Sequence, residues 1–172
     1  EMRSTGEVMG LSNALPSAFL KAQLAAGSRL PREGRVFVSV RDDDKPAACE
    51  IALRLSELGY QIVATGGTQE ALLRAGIASE RVNKVREGRP HIVDRLTNRE
   101  IAVVINTTEG AQAIRDSYTL RRQTLVSGIP YFTTIAAAAA AVDALEARRV
   151  GPLAVRSIQE YHEDLRRRRP AP

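Results

Sequence analysis

The sequence has few of the residues that build disulfide frameworks, zinc sites and base-stacking surfaces. It contains one cysteine, Cys49, two histidines, His91 and His162, and no tryptophan. A single cysteine excludes an internal disulfide, and so few soft ligands argue against a zinc site. Aromatic residues make up only 4% of the chain, which disfavours a surface that stacks unpaired bases.

Long apolar runs are also missing. The longest run of small apolar residues, 135–142, is mostly alanine and too short to span a bilayer, and no signal-peptide pattern is present. We therefore expect a cytoplasmic protein without a membrane partner. The net charge of +5 comes largely from the ends, where four arginines occupy 166–169. Without interleaved aromatics, a solvated tail is favoured over a nucleic-acid partner.

From residue 35 onward, β-branched runs alternate with amphipathic segments at helical spacing. The predicted strands are 35–40, 61–65, 81–85, 101–106 and 129–134, and the predicted helices are 42–60, 68–75, 89–98, 117–128 and 135–149. Short connections between alternating strands and helices predict a doubly wound, mainly parallel five-stranded α/β sheet with helices on both faces. The fourth strand is nearly all apolar, so we expect it to be central.

Both ends of the chain stand apart from this alternating pattern. Residues 1–34 contain a short amphipathic helix, with Leu20 and Leu24 among its apolar positions, followed by a linker at 28–34. A further helix is predicted in the tail, 151–172. The chain starts at Glu1 without an initiator methionine, and we expect it to be a piece of a longer polypeptide.

Polar side chains follow each predicted strand, and ligands of open parallel sheets bind just beyond these carboxyl ends. The residues at these positions are Ser39, Arg41, Lys45, Thr65, Gly66, Gly67, Thr68, Lys84, Asn106, Thr107, Thr108, Tyr131, Thr133 and Thr134. Hydroxyls, an amide and lysines suit an anion, while the two glycines expose backbone N–H groups and a helix starting near Thr68 adds its positive end. The sequence therefore predicts a phosphate site.

Each of these residues also has a simpler role. The alternatives are a plain turn at Gly66 and Gly67, capping by Thr65 and Thr68, an ion pair between Lys45 and the aspartates 42–44, edge-strand protection by Lys84, and a turn contact by Asn106. Their convergence on one edge of the sheet favours the site. No His–carboxylate or Ser–His pair falls at this edge, so we assign no catalytic residue and no metal.

Several strings, in order from about Arg35 to Ala147, resemble a known family: "SVRDDDK", "ATGGT", "VNKVREGRPHIVDRL", "INTTEG" and "YFTT". They are similar to the methylglyoxal-synthase-like domain that ends the large chain of carbamoyl-phosphate synthetase. "EMRSTGEVMG" resembles the last segment of the preceding ATP-grasp domain. The resemblance implies a division into an ATP-grasp remnant with its linker at 1–34, a regulatory domain at 35–150 and a helical tail at 151–172.

The resemblance implies a regulatory function. Members of this family bind uridine monophosphate, an inhibitor, and inosine monophosphate can occupy the same site. Carried onto this sequence, the phosphate site is Lys45, Thr65, Thr68, Lys84, Asn106 and Thr108, and Gly66, Gly67 and Thr107 complete the nucleotide-binding set. Ornithine activates some members, and Tyr131 and Thr133 match positions used there, with acidic partners expected in the upstream domain.

The resemblance also implies the chemistry of a parent enzyme, which joins bicarbonate, glutamine-derived ammonia and phosphate from two ATP to give carbamoyl phosphate for pyrimidine and arginine synthesis. This segment is expected to hold no cofactor, whereas the parent uses ATP, Mg²⁺ or Mn²⁺, and K⁺. The implied partners are the nucleotide, the preceding ATP-grasp domain and a small glutaminase subunit. Homo-oligomerisation is left open.

The sequence departs from its relatives at one point near the expected site. Some relatives carry an Arg-Arg pair after the "NTT-x-G" turn, where this chain has Ala111-Gln112. The Gly-Gly-Asp motif of methylglyoxal synthase and the Lys-Thr-Leu-His-Pro motif of the IMP cyclohydrolase domain are both absent. Two alternatives remain: a lyase acting on dihydroxyacetone phosphate, and a structural or oligomerisation module with a non-functional pocket.

Overall fold

The structure is a computed structural model that describes residues 6–108 and 117–168. Within these residues, five strands and seven helices alternate along the chain. The strands are β1 Arg35–Ser39, β2 Gln61–Ala64, β3 Glu80–Arg81, β4 Ile101–Asn106 and β5 Tyr131–Phe132. The helices are α1 Leu15–Ala25, α2 Lys45–Glu57, α3 Gly66–Arg74, α4 Ile92–Thr97, α5 Tyr118–Val126, α6 Ile135–Val150 and α7 Ile158–Arg168.

The strands form one sheet in the order β3-β2-β1-β4-β5, and every pair is parallel. The predicted doubly wound α/β fold is therefore confirmed. β1 lies at the centre, and β4 is an interior strand between β1 and β5. β4 is buried at five of its six positions, which explains its nearly continuous apolar sequence.

The third and fifth strands are shorter than predicted. β3 pairs only with Val63 and Ala64, and the chain then leaves the sheet, so that Lys84 precedes a 3₁₀ turn at Val85–Glu87 instead of lying in a strand. Helix α3 begins at Gly66, earlier than the sequence predicts, because Thr65 has the extended backbone of an N-cap residue.

Two glycines end helices in the way the sequence predicts. Gly76 has a positive φ of 75°, and the N–H of Ile77 reaches back to the carbonyl of Leu72 at 2.9 Å. Gly59 repeats this arrangement after α2 with a φ of 87°. Left-handed backbone favours glycine, and the reversed hydrogen bonds satisfy carbonyls at the helix end.

Helices cover both faces of the sheet. On one face, α1, α2, α3 and α6 bury Leu20, Ile51, Leu72 and Val142 against β1, β2 and β4. On the other face, α4 and α5 cover a smaller cluster built around Phe37, which lies on the central strand. Both faces of β1 are thus buried.

Helix α1 packs along α6, although the sequence suggested that residues 1–34 stand apart. Leu20 is fully buried in the larger core cluster. The Tyr60 hydroxyl donates to the carbonyl of Pro31 at 2.7 Å, and Arg148 donates to the carbonyls of Leu30 and Pro31. The division of the chain at residue 34 remains a prediction from sequence resemblance. Helix α1, which precedes this division, packs into the same core as the sheet.

The C-terminal helix α7 contacts the N-terminal segment through Tyr161. Its hydroxyl donates to the carbonyl of Leu11 at 3.1 Å, and the Arg156 guanidinium lies 4.7 Å from the centre of its ring. Across the described ranges, no helix combines the length and apolarity needed to cross a membrane.

Replacing Leu20 with alanine tests whether α1 belongs to the main core. Leu20→Ala should lower the free energy of unfolding by about 2–5 kcal/mol, because it leaves a cavity in a buried cluster. Leu24→Ala on the same helix, where the side chain is 42% exposed, is the matched control and should cost about 1 kcal/mol or less. Urea unfolding followed by circular dichroism measures both, and equal losses would show that α1 packs independently of the core.

Candidate functional site

A cavity of about 340 Å³ opens where β1 and β4 end. These neighbouring strands are held together there, because the Thr107 N–H donates to the carbonyl of Ser39 at 3.1 Å. The cavity is lined by Phe37, Ser39, Val40, Arg41, Thr65, Lys84, Val85, Arg86, Glu87, Ile92, Asn106, Thr107, Thr108, Ser117 and Leu120. The chain after β1 runs to β2 and the chain after β4 runs to β5 on the opposite side, so this crevice is the switch point at which open α/β sheets bind ligands.

Hydroxyl groups from neighbouring loops meet at the strand ends. The hydroxyls of Ser39 and Thr65 are 3.0 Å apart, and the Thr68 hydroxyl accepts from the backbone N–H of Val40 at 3.2 Å. Thr65 and Thr68 are each 3% exposed. These contacts fix the loop after β1 against the start of α3, so that their orientation is set before any ligand arrives.

A second network joins β4, β5 and α5. Asn106 donates to the Tyr131 hydroxyl at 2.9 Å, and Arg121 donates to the same oxygen at 3.2 Å. Arg121 also donates to the Thr108 hydroxyl at 2.9 Å. Asn106 is 5% exposed, so this network satisfies a buried amide that would otherwise be costly.

The direction of these hydrogen bonds gives the cavity its chemical character. Backbone N–H, amide NH₂ and guanidinium groups donate, so the hydroxyls of Thr68, Thr108 and Tyr131 act as acceptors and keep their own protons. Of these three residues, Thr108 lines the cavity. A hydroxyl held in this way can donate to a ligand without breaking a protein contact. The Thr108 hydroxyl is therefore oriented as a possible donor to an acceptor atom in the cavity.

The start of α3 adds backbone donors. Thr65 is the N-cap residue, yet its side chain makes no capping hydrogen bond, so it does not occupy the N–H groups of the first turn. Gly66 and Gly67 form that turn with ordinary helical backbone, and Gly67 is exposed. A Cβ at Gly66 would lie 3.3 Å from a guanidinium nitrogen of Arg81, which places a further cation beside this helix start.

Cationic side chains outnumber carboxylates in the cavity wall. Arg41, Lys84 and Arg86 line it together with one carboxylate, Glu87. A Glu87 oxygen accepts from the backbone N–H of Lys84 at 2.9 Å, so part of its charge is directed at the protein backbone. Arg41 is paired with Asp44 at 2.9 Å, so the charge of Lys84 is the part of the wall that most favours an anionic ligand.

Two aspartates near the cavity, Asp42 and Asp44, form ion pairs with neighbouring side chains of this chain. Lys45 lies 2.8 Å from Asp42, and its hydrogen bond and charge, with a smaller effect of Lys84, hold the pKa of the Asp42 carboxyl below its usual value. Hydrogen bonds from Arg41 and then from Thr107 lower the pKa of Asp44. Thr107 thus helps to fix the loop after β1. Lys45 is paired with Asp42, as expected from the alternative in which it forms an ion pair with the aspartates 42–44.

The structure brings most of the predicted site residues to one edge of the sheet. Thr65, Lys84, Asn106, Thr107 and Thr108 line the cavity, whereas Lys45, Gly66, Gly67 and Thr68 lie beside it at the starts of α2 and α3. Lys45 Nζ is 3.5 Å from the position that a Cβ on Gly67 would take, so these two residues are neighbours. Their roles in binding remain predictions.

The two residues matched to an ornithine site fall in different environments. The Tyr131 hydroxyl is enclosed by Asn106 and Arg121, whereas the side chain of Thr133 is exposed. Ala111 and Gln112 lie outside the described residues. Arg121, Arg86 and the apolar residues of the cavity wall were not among the residues predicted from the sequence. No motif or local sequence pattern marks them as part of a site.

The family profile described as "MGS-like domain" matches residues 47–133. This range covers half of the chain and contains β2, β3, β4, β5 and most of the strand-end residues. The chain therefore belongs to the MGS-like domain family.

Curated relatives extend the similarity over nearly the whole chain. Over 161 residues, 94% of the chain, it is 53% identical to the "Carbamoyl phosphate synthase large chain" of Myxococcus xanthus and 52% identical to the protein of the same name from Mesorhizobium japonicum. The chain spans only 15% and 14% of the lengths of these two relatives.

A solved structure shows the same fold at lower sequence identity. The crystal structure of methylglyoxal synthase from Elizabethkingia anophelis NUHP1 matches with a TM-score of 0.55 and 20% identity, covering 66% of this chain and 79% of that one. This likeness supports the α/β architecture alone.

Removing the Tyr131 hydroxyl tests the network around Asn106. Tyr131→Phe leaves the Asn106 amide and the Arg121 Nε without their shared acceptor, and should lower the free energy of unfolding by about 1–3 kcal/mol. Tyr118→Phe is the matched control, because that ring is 67% exposed, and it should change stability by about 0.5 kcal/mol or less. A Tyr131→Phe variant as stable as the control in urea unfolding would contradict the network.

Proposed function

We propose that this chain is an effector-binding regulatory domain of a carbamoyl-phosphate synthase large chain, and that its strand-end cavity binds a nucleoside monophosphate of the uridine or inosine type. The observation that carries the proposal is the mixed lining of the cavity. Hydroxyls, an amide and cations at the strand ends would hold a phosphate.

The apolar part of the cavity lining suits the rest of a nucleotide. Phe37, Val85, Ile92 and Leu120 provide an apolar wall from the core cluster around Phe37. A volume of about 340 Å³ lies in the range of small-molecule sites, which combine an apolar lining with a few placed polar groups. A ligand with a charged end and a flat, less polar end fits this lining better than a free inorganic ion does.

Binding is favoured over catalysis by the groups that line the cavity. Chemistry on a small phosphorylated substrate requires a base or acid that is free to exchange a proton. Among the described lining residues, the one carboxylate belongs to Glu87, and it accepts from the backbone of Lys84. A lyase reaction therefore has less support than the holding of an anion, and a module with a non-functional pocket leaves the preset donors unexplained.

Regulation would follow from ordering of the loops around the cavity. The loop after β1 and the end of β4 are already joined through Thr107, and an effector phosphate would connect both of them to the turn at Val85–Glu87. The parent enzyme would join bicarbonate, glutamine-derived ammonia and phosphate from ATP in the cytoplasm, with a glutaminase subunit as partner. The domain would shift its conformational equilibrium by about 1–3 kcal/mol, a typical allosteric coupling, and Tyr131 and Thr133 would contribute to an ornithine response.

Lys84→Ala tests the phosphate site directly. It removes an exposed cation from the cavity wall, and the affinity for uridine or inosine monophosphate in isothermal titration calorimetry should fall about tenfold or more, as expected for a charge-assisted contact. Arg74→Ala is the matched control: Arg74 is an exposed cation on α3 with only a 3.9 Å pair to Glu70, and its loss should leave the affinity unchanged. Unaltered affinity in Lys84→Ala would refute the site.

The pH dependence of binding tests whether the ligand is held as a dianion. The second pKa of a phosphate monoester is about 6, so the dianion fraction, and with it the affinity, should rise about fourfold from about pH 5.5 to about pH 7.5. The lowered pKa values of Asp42 and Asp44 keep both carboxylates ionised throughout this range. A uridine sulfate ester keeps one charge and should bind with constant affinity; a rise for both ligands would assign the effect to the protein.

A further inference from the structure

Arg121 reaches the strand ends from helix α5. Its guanidinium donates through Nε to the Tyr131 hydroxyl at 3.2 Å and through an η nitrogen to the Thr108 hydroxyl at 2.9 Å. Tyr131 belongs to β5, and Thr108 follows β4. One planar group thus spans two strand ends, and it does so by the forked geometry that a lysine ammonium lacks.

The two contacts have a common consequence for proton direction. A guanidinium carries five donors and no acceptor, so both hydroxyls must accept from it. Tyr131 also accepts from Asn106, which uses its second lone pair. The Thr108 proton therefore stays available for the cavity that Thr108 lines.

We propose that Arg121 is a positioning residue of the anion site, which fixes the Thr108 hydroxyl as a donor to the ligand and locks Asn106 through Tyr131. This inference rests on the proposed function, because it assigns a role within the same site. Arg121 would then act on the ligand through the neutral Thr108 hydroxyl and would not contact the ligand itself.

The neighbouring Arg122 provides an internal comparison. It follows Arg121 on the same helix and its side chain is exposed, whereas Arg121 is half-buried. The two residues have the same charge and nearly the same place in the sequence. A role for charge in general would apply to both, and a role in positioning applies to Arg121 alone.

The test compares Arg121→Gln, Arg121→Lys and Arg122→Gln by calorimetric titration with uridine monophosphate and, separately, inorganic phosphate. Arg121→Gln should weaken uridine monophosphate binding about tenfold or more, and Arg122→Gln should leave it unchanged. Arg121→Lys keeps the charge but replaces the planar fork with a single nitrogen on a shorter side chain, so it should not keep both hydroxyl contacts in place and should lose most of the affinity that Arg121→Gln loses. Full affinity in Arg121→Lys would overturn the positioning role and leave only a charge effect.

A double-mutant cycle separates positioning from a general loss of structure. If Arg121 acts through Thr108, the affinity losses of Arg121→Gln and Thr108→Val should be clearly less than additive in the double variant, whereas independent effects add. Circular dichroism checks that each variant folds. If Arg121→Gln does not fold, the same cycle is measured with Arg121→Lys and Thr108→Val. Wild-type chain that binds neither probe overturns both proposals; normal binding by a folded Arg121→Gln variant overturns this inference alone.

Discussion

The side-by-side pairing of β1 and β4 is the constraint on which the site depends. These strands are far apart in the sequence, yet their register brings Ser39 beside Asn106 at the same end of the sheet. Because the connections leave this point in opposite directions, a crevice remains between the ends of the two strands. A shift of the register by one residue would turn these side chains to the opposite faces and remove the site.

The polar groups in this crevice are ordered by the protein before any ligand binds. Backbone N–H groups, an amide and a guanidinium supply the hydrogen bonds that the threonine and tyrosine hydroxyls accept. This preorganisation lowers the conformational entropy lost on binding, since few side chains need to be immobilised. The cations that line the cavity lie on the loop after β1, at Arg41, and around the 3₁₀ turn, at Lys84 and Arg86.

Much of the fold could be predicted from the sequence, because strands and helices alternate with clear stop signals at Gly59 and Gly76. The site was also predictable in outline, since the strand-end rule needs only the end of each strand. The rule predicted that Thr65, Asn106 and Thr108 would lie at one edge of the sheet, and all three line the cavity.

The remaining features depend on tertiary geometry that no local pattern records. Lys84 leaves the sheet because β3 ends after two paired residues. The glycine pair lies inside the first turn of α3, because Thr65 takes the N-cap position. Arg121 and Arg122 look alike in the sequence, and the hydrogen bonds of Arg121 to Thr108 and Tyr131 distinguish the half-buried arginine from the exposed one.

The most direct test of the central claim is a map of backbone amide chemical shifts as uridine monophosphate is added to the chain, using ¹H–¹⁵N correlation spectra. We predict saturable shifts concentrated at residues 39–41, at the first turn of α3 and at 106–108, where β1, β2 and β4 end. Saturable shifts confined to other surfaces, or none up to millimolar nucleotide, would contradict the assignment of the strand-end cavity as an effector site.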